Sequence, residues 1–404
     1  MRQKEELMSL NDTPRSERLH IGLFGKTNSG KSSLINALTG QDIAIVSDVA
    51  GTTADPVYKS MEIHGIGPVV FIDTAGFDDS SILGEMRVRK TGEALQKTDI
   101  ALVIFTDTDI DQELAWIEKL KAQKTPVIPV INKIDLLGKK AEDIAEKIHS
   151  ACHLRPVAVS ALDRSGIAAI REAIMRRLPE DYDVPSLTSP IVRENALVLL
   201  VMPQDIQAPK GRLILPQVQT IRDLLDKHCV VVSVTTDGID RALESLGRAP
   251  DVIITDSQVF KTVYDKKPAK SLLTSFSVLM AAYKGDIDYF TESVRAIESL
   301  TEQSRVLIAE ACTHAPLAED IGREKIPRFL RKKVGSGLTV DIVSGQDFPE
   351  DLSGYDLIIH CGGCMFNRKY MLSRAGQAKA QHVPMTNYGV TIAYLNGILD
   401  KISF

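Results

Sequence analysis

The stretch Gly25-Lys26-Thr27-Asn28-Ser29-Gly30-Lys31-Ser32 constrains this chain more than any other part of it, because it fits the pattern G-x-x-x-x-G-K-[ST]. It lies between an apolar, strand-like run, Leu19 to Phe24, and a stretch with helical spacing, the context in which the pattern has a mechanism. Its glycines let backbone N–H groups turn toward phosphate oxygens, and the positive end of the following helix adds to the attraction. Lys31 then reaches the β- and γ-phosphates and Ser32 holds Mg²⁺, with Gly25, Ser29, Gly30 and Ser33 completing the cradle. Such a loop needs a mostly parallel sheet around it. Strand-like runs at Leu19 to Phe24, Val69 to Ile72, Ile100 to Phe105, Val127 to Ile131 and Val157 to Val159 supply one, alternating with helix-length amphipathic stretches. The expected fold class is therefore α/β, a P-loop domain followed by two further α/β domains.

Three further motifs follow in order, each after a strand. Asp73-Thr74-Ala75-Gly76 places a carboxylate, Asp73, near the Mg²⁺ shell and the Gly76 amide toward the γ-phosphate. Asn132-Lys133-Ile134-Asp135 offers the Asp135 carboxylate to the N1–H and exocyclic amine of guanine, a donor pair that adenine lacks. Ser160-Ala161-Leu162 can meet guanine O6 through its backbone. Together they specify GTP as the substrate.

At these residues the first domain resembles GTPases of the TrmE and Era type. Val46-Ser47-Asp48-Val49-Ala50-Gly51-Thr52-Thr53-Ala54-Asp55 is similar to the switch I region of that branch, which implies that Thr53 closes on Mg²⁺, with Thr52 the neighbouring candidate. Phe77 stands where many signalling GTPases carry the glutamine that orients the attacking water. The resemblance implies activation by K⁺, held partly by Asn28, and gives the positioning of water to Glu85, a match by spacing. The catalytic set is then Lys31, Thr53, Gly76 and Glu85.

At 404 residues the chain exceeds one ordinary core. Pro179, Pro185 and Pro190 mark the end of the first domain, set at 1–183 with a polar N-terminal arm. A second block, 190–268, repeats the α/β pattern without a phosphate loop and is read as a dimerisation domain that makes a homodimer. Lys266-Lys267-Pro268 is the polar break before the third, 269–404. A net charge of −5 gives no basic field for nucleic acid, and no aliphatic run approaches the roughly 20 residues of a membrane span. A cytoplasmic protein with neither nucleic-acid nor membrane partners is expected.

Five cysteines, three of them near the C-terminus, do not make a secreted disulfide framework. Cys312-Thr313-His314 and His360-Cys361-Gly362-Gly363-Cys364 are separated by 45 residues, and each follows a strand-like run, Ser304 to Glu310 or Leu357 to His360. Cys361 and Cys364 are spaced to share one metal centre. Zinc would take Cys312, Cys361, Cys364 and His314 or His360; a 4Fe-4S cluster would take the same three thiolates and leave one iron to a weaker or exchangeable ligand. The residues alone leave both open. Cys152 and Cys229 sit in apolar contexts and read as inert and buried.

A TrmE-like GTPase with Asn28, a small α/β block and a C-x-H…H-C-x-x-C domain is similar, over essentially the whole chain, to the HydF family of iron-iron hydrogenase maturation GTPases. The resemblance implies a 4Fe-4S cluster on Cys312, Cys361 and Cys364. His314 or His360 is then the fourth ligand or a hydrogen-bond donor behind the site, with Glu310 or the N-terminal arm as other candidates for the fourth position. It further implies a scaffold that carries a diiron precursor as cargo, with radical-SAM maturation enzymes and apo FeFe-hydrogenase as partners. The alternative is a tRNA-modifying or ribosome-assembly GTPase with a structural zinc site.

Overall fold

A computed structural model of the chain describes residues 15–39, 56–63, 66–77, 82–178, 186–189, 191–203, 213–311, 321–345, 347–363 and 365–404, with only the backbone of Arg15 and of 82–89. The chain divides into two compact units, Met1–Asp183 and Val184–Phe404.

The first unit holds a six-stranded sheet of β1 (Leu19–Gly25), β2 (Val57–Ile63), β3 (Gly67–Asp73), β4 (Ile100–Phe105), β5 (Val127–Ile131) and β6 (Val157–Ala158), in the order β2-β3-β1-β4-β5-β6. All pairings are parallel except that of β2 with β3. The period-2 geometry of a strand divides one continuous apolar run between two cores. In β4, Ile100, Leu102 and Ile104 join Leu34, Ile35 and Leu38 of the helix Lys31–Thr39. Ala101, Val103 and Phe105 join Trp116, Ile117 and Leu120 of the helix Asp111–Ala122 on the other face.

The second unit holds two four-stranded parallel sheets. One contains β7 (Leu197–Val201), β8 (Val230–Val234), β9 (Val252–Thr255) and β10 (Leu272–Ser275), ordered β10-β9-β7-β8. The other contains β11 (Arg305–Glu310), β12 (Thr339–Ser344), β13 (Leu357–His360) and β14 (Met385–Asn387), ordered β12-β11-β13-β14. In each sheet the chain leaves the first strand toward one side and later returns on the other. The crevices where loops diverge thus lie between β7 and β9 and between β11 and β13, the positions at which open α/β sheets bind ligands.

Two expectations change here. β10 pairs in register with β9, so the sheet expected to end at residue 268 continues past it. The polar break is a turn, in which the Lys267 ammonium donates to the Pro268 and Ser271 carbonyls, and not a linker. Nor do the two sheets keep separate interiors: Leu199, Ile253 and Leu273 of one share an apolar cluster with Val306, Ile308 and Ile358 of the other. Cys152 and Cys229 are buried, as expected.

Candidate functional sites

The phosphate loop turns on two left-handed residues, Asn28 (φ 60°) and Gly30 (φ 84°). A side chain at position 30 would meet the Asn132 amide, so glycine is required there sterically as well as conformationally. Lys31 is buried, and its ammonium donates to the Gly25 carbonyl at 2.9 Å and the Lys26 carbonyl at 2.8 Å. Ser32 Oγ donates to Asp73 Oδ2 at 2.5 Å. Burial pushes the Asp73 carboxyl above the usual range, against the Ser32 hydrogen bond and the Lys31 charge. A hydroxyl and a carboxylate held together in a part-buried place suit a hard divalent cation, and Ser32 and Asp73 are the residues that would hold Mg²⁺.

Gly76 packs so closely on Thr27 of the phosphate loop that a Cβ would collide with its backbone. The next residue, Phe77, is buried and stacks on Trp116 (5.6 Å, 22°), which stacks in turn on Phe24 (5.8 Å, 25°). It belongs to the core and handles no water.

On the base side, Asn132 is a cross-tie. Its Nδ2 donates to the Ser29 carbonyl at 2.9 Å while its Oδ1 accepts from Ala161 N at 3.2 Å. Lys133, itself left-handed, donates to the Asn28 carbonyl at 2.7 Å. Ser160 is buried beside them, and Asp135 is exposed in the first turn of the helix Ile134–Leu137. Phosphate loop and base loops are thereby joined into one frame. Thr53 and Thr52 lie outside the described residues, as does the side chain of Glu85, whose backbone belongs to the helix Ile82–Lys97.

One cluster at this site carried no sequence signature. The Lys26 ammonium lies 3.2 Å from Asp107, 3.4 Å from Asp109 and 3.7 Å from Glu113. Burial lowers the lysine's affinity for its proton, but Glu113 first and Asp107 next outweigh it and hold the pKa above the ordinary value. Glu113 is 2% exposed and burial raises it to about 7, against its own backbone hydrogen bond and Lys26.

In the second unit, β13 delivers Cys361 to the crevice beside β11. The sulfur accepts a hydrogen bond from Ala311 N at 3.0 Å, and the Cys361 amide donates to the Ala309 carbonyl at 2.9 Å. Ala311 immediately precedes Cys312, and Gly363 immediately precedes Cys364. Cys312, His314 and Cys364 lie outside the described residues, and among the described residues no three His, Cys, Asp or Glu side chains converge as a metal site. Gly363 takes φ 62°, and a Cβ there would press on Met371 Sδ at 2.6 Å. Behind the loop, buried Lys284 donates to the Phe366 carbonyl at 2.8 Å and the Gly363 carbonyl at 3.4 Å.

Cys361 lines a cavity of about 350 Å³ with Gly363, Glu310 and Arg323 from the β11-β13 side and Ser257 and Ser277 from the ends of β9 and β10. Glu310 Oε2 accepts from Arg323 Nη2 at 2.9 Å and Ser344 Oγ at 3.2 Å, and Oε1 from Tyr388 at 3.4 Å. A cysteine sulfur that receives a backbone amide and opens on a cavity suits a thiolate-ligated cluster, whose sulfurs take such hydrogen bonds.

His360 is fully buried. Its Nδ1 is 2.8 Å from the Cys361 carbonyl and its Nε2 is 2.8 Å from Arg374 Nη1. Burial first and Arg374 second drive its pKa down to about 3, against the hydrogen bond to Cys361. Both ring nitrogens are thus engaged within the fold.

The Hydrogen maturase F dimerization domain model matches residues 187–285 and the Hydrogen maturase F tetramerization domain model matches residues 288–403. The chain belongs to the HydF family. Ahead of these domains, the model of the 50S ribosome-binding GTPase matches residues 20–133 of this HydF member, which makes the first unit a GTPase domain. GTPase Der from Wolinella succinogenes is 34% identical over 185 residues, 43% of this chain and 38% of that protein. The tRNA modification GTPase MnmE from Chromobacterium violaceum is 40% identical over 127 residues, 31% of this chain and 28% of that protein. The chain thus spans well under half the length of these curated relatives. Era from Aquifex aeolicus, bound to GDP and aluminium fluoride, aligns with a TM-score of 0.37 at 22% identity over 56% of this chain and 98% of that one. Among the described residues no helix is long and apolar enough to cross a membrane.

Proposed function

We propose that this protein is a GTP-hydrolysing scaffold that holds a 4Fe-4S cluster on Cys312, Cys361 and Cys364 and carries a diiron precursor to apo FeFe-hydrogenase. The observation that carries the reading is the place of Cys361. It opens on a cavity at the β11-β13 switch point, within one of two domains matched by hydrogen maturase F models. A bound cluster supplies an iron face on which a metal precursor can be held. The chain's own residues do the rest: Ala311 N donates to the sulfur, and Arg323 keeps Glu310 oriented toward the cavity.

In the GTPase domain, Lys31 and the left-handed loop amides take the phosphates. Ser32, Asp73 and Thr53 hold Mg²⁺, Asn28 holds K⁺, Gly76 presents its amide to the γ-phosphate and Glu85 positions water. The radical-SAM maturation enzymes supply the cargo. Hydrolysis acts as the switch that changes how the scaffold meets its partners.

A homodimer completes the proposal. β10 is covered at its outer edge, where Ser403 N donates to the Leu273 carbonyl at 2.8 Å. At the opposite edge β8 reads Val-Val-Val-Ser-Val, carries no charge and exposes Val230, an edge of the kind that pairs with another chain.

Anaerobic purification followed by iron and sulfide analysis and EPR of the reduced protein tests the cluster. The wild type is expected to hold iron and acid-labile sulfide; Cys361→Ser is expected to lose most of both. Equal iron in the two proteins overturns the assignment. Hydrolysis is expected to run faster in KCl than in NaCl, and Asn28→Ala to abolish the difference. Activation of purified apo-hydrogenase tests delivery.

A further inference from the structure

Arg374 is a charge in the interior of the second unit. It is 2% exposed and lies on the helix Arg368–Ala380, with the rings of Phe348, Phe366 and Tyr370 each centred 4.6 Å from its guanidinium carbon. Nη2 donates to the Gly345 carbonyl at 2.6 Å and to the Tyr370 hydroxyl at 3.1 Å. Nη1 faces His360 Nε2 at 2.8 Å.

A guanidinium has donors only, so His360 Nε2 must be the acceptor of that contact. The imidazole proton then sits on Nδ1 and is donated to the Cys361 carbonyl, 2.8 Å away. Asn387 Nδ2 donates to the same carbonyl at 3.3 Å, and the Cys361 amide is committed to Ala309 at 2.9 Å. The backbone of residue 361 is therefore held from both sides. The one ring lone pair that iron could use is already taken by Arg374. Freeing it would strand a buried guanidinium donor, which costs that donor its desolvation without a partner.

We propose that Arg374 and His360 form a buried clamp that sets the pose of the Cys361 loop, so that His360 serves the iron-sulfur site as a positioning residue and not as an iron ligand. The proposal rests on the cluster reading above, but the clamp itself is a property of the chain without metal.

The test uses the full-length protein with Arg374→Met, Arg374→Lys and His360→Asn, each checked for folding by circular dichroism and thermal melting. In the metal-free proteins the alkylation rate of Cys361 by iodoacetamide is read by peptide mass spectrometry. Arg374→Met is expected to raise it roughly tenfold, the worth of one lost charged hydrogen bond. Arg374→Lys, which keeps charge and a donor, is expected to bring most of the protection back. His360→Asn, which retains a donor near Nδ1 but loses the Arg374 contact, is expected to fall between. In the reduced, iron-reconstituted proteins with ¹⁵N-histidine, pulsed EPR is expected to show no histidine coupling that His360→Asn removes, while Arg374→Met shifts the g values. A histidine coupling lost in His360→Asn overturns the proposal, as does wild-type alkylation in Arg374→Met. If Arg374→Met does not fold, wild-type alkylation in His360→Asn overturns it equally. A wild type that binds no iron sinks the cluster reading, and the alkylation series still decides the clamp.

Discussion

Glu113 makes the footing of the phosphate loop sensitive to pH. Its folded pKa of about 7 lies above the ordinary 4.5, so between these values the folded protein binds more protons than the unfolded chain. Its stabilising contribution is complete below pH 4.5 and is lost as pH rises through about 7. The change is of the order of 3 kcal/mol at most. Urea unfolding followed across this range is expected to show stability falling with rising pH, and Glu113→Gln to flatten that slope. Phe77 carries a prediction of a different kind. The chain's one tryptophan, Trp116, lies in the Phe77-Trp116-Phe24 stack, so its fluorescence reports on the stack directly. Phe77→Ala is expected to cost about 3 kcal/mol and to shift the emission to the red. Phe77→Gln is expected to leave hydrolysis no faster, because the position faces the core and not the γ-phosphate. Reading Phe77 as unable to orient water was possible from the side chain alone. Its burial was not, since one aromatic in a loop has no period to show which way it points.

Elements translate these local contacts into the geometry of the sites. The helix that carries Tyr370 and Arg374 begins at Asn367, whose side chain accepts from the Tyr370 amide at 3.2 Å. Asn367→Ala is expected to cost about 1 kcal/mol in stability. Because that helix also holds the Phe366 turn and the His360 partner, it is further expected to speed alkylation of Cys361; stability lost with alkylation unchanged would disconnect cap from loop. This helix shows how far sequence reasoning reached. The nucleotide motifs were legible because each fixes backbone and side chain together at one strand end. Cys361 was legible because cysteine and glycine at that spacing have few other uses. Arg374 was not, since it acts across the fold from position 360 and no short pattern links them. His360 was visible as a residue of the motif, but its direction depends on a partner supplied from a different element. The same limit explains the boundary at residue 268: the local polar cluster was read as a break between domains, because the pairing of β10 with β9 is a long-range fact.

At the scale of the whole molecule, the exposed valine edge of β8 is where the proposed homodimer would pair. Val230 N donates to the Ala196 carbonyl, so strand alternation turns the Val231 and Ser233 amides outward. Ser233→Pro is expected to remove an outward donor and convert dimers to monomers in light-scattering chromatography; a variant that remains dimeric would place the seam elsewhere. The edge strand β12, by contrast, carries Asp341 bound to Arg305 at 2.6 Å, a charge that discourages pairing.

The neighbouring positions of β11 and β13 also change the meaning of the long spacer between the two cysteine arms. The strands that lead into the two arms end side by side because β11 and β13 are parallel neighbours, and the described part of the chain between them passes through the helix Ile326–Val334 and β12. The count of residues in that stretch therefore does not set how close the ends of β11 and β13 lie. Extra residues in the exposed turn at Ser336 and Gly337 lengthen the path without moving its ends, whereas one residue of slip between β11 and β13 moves Cys361 by a full strand step of about 3.3 Å.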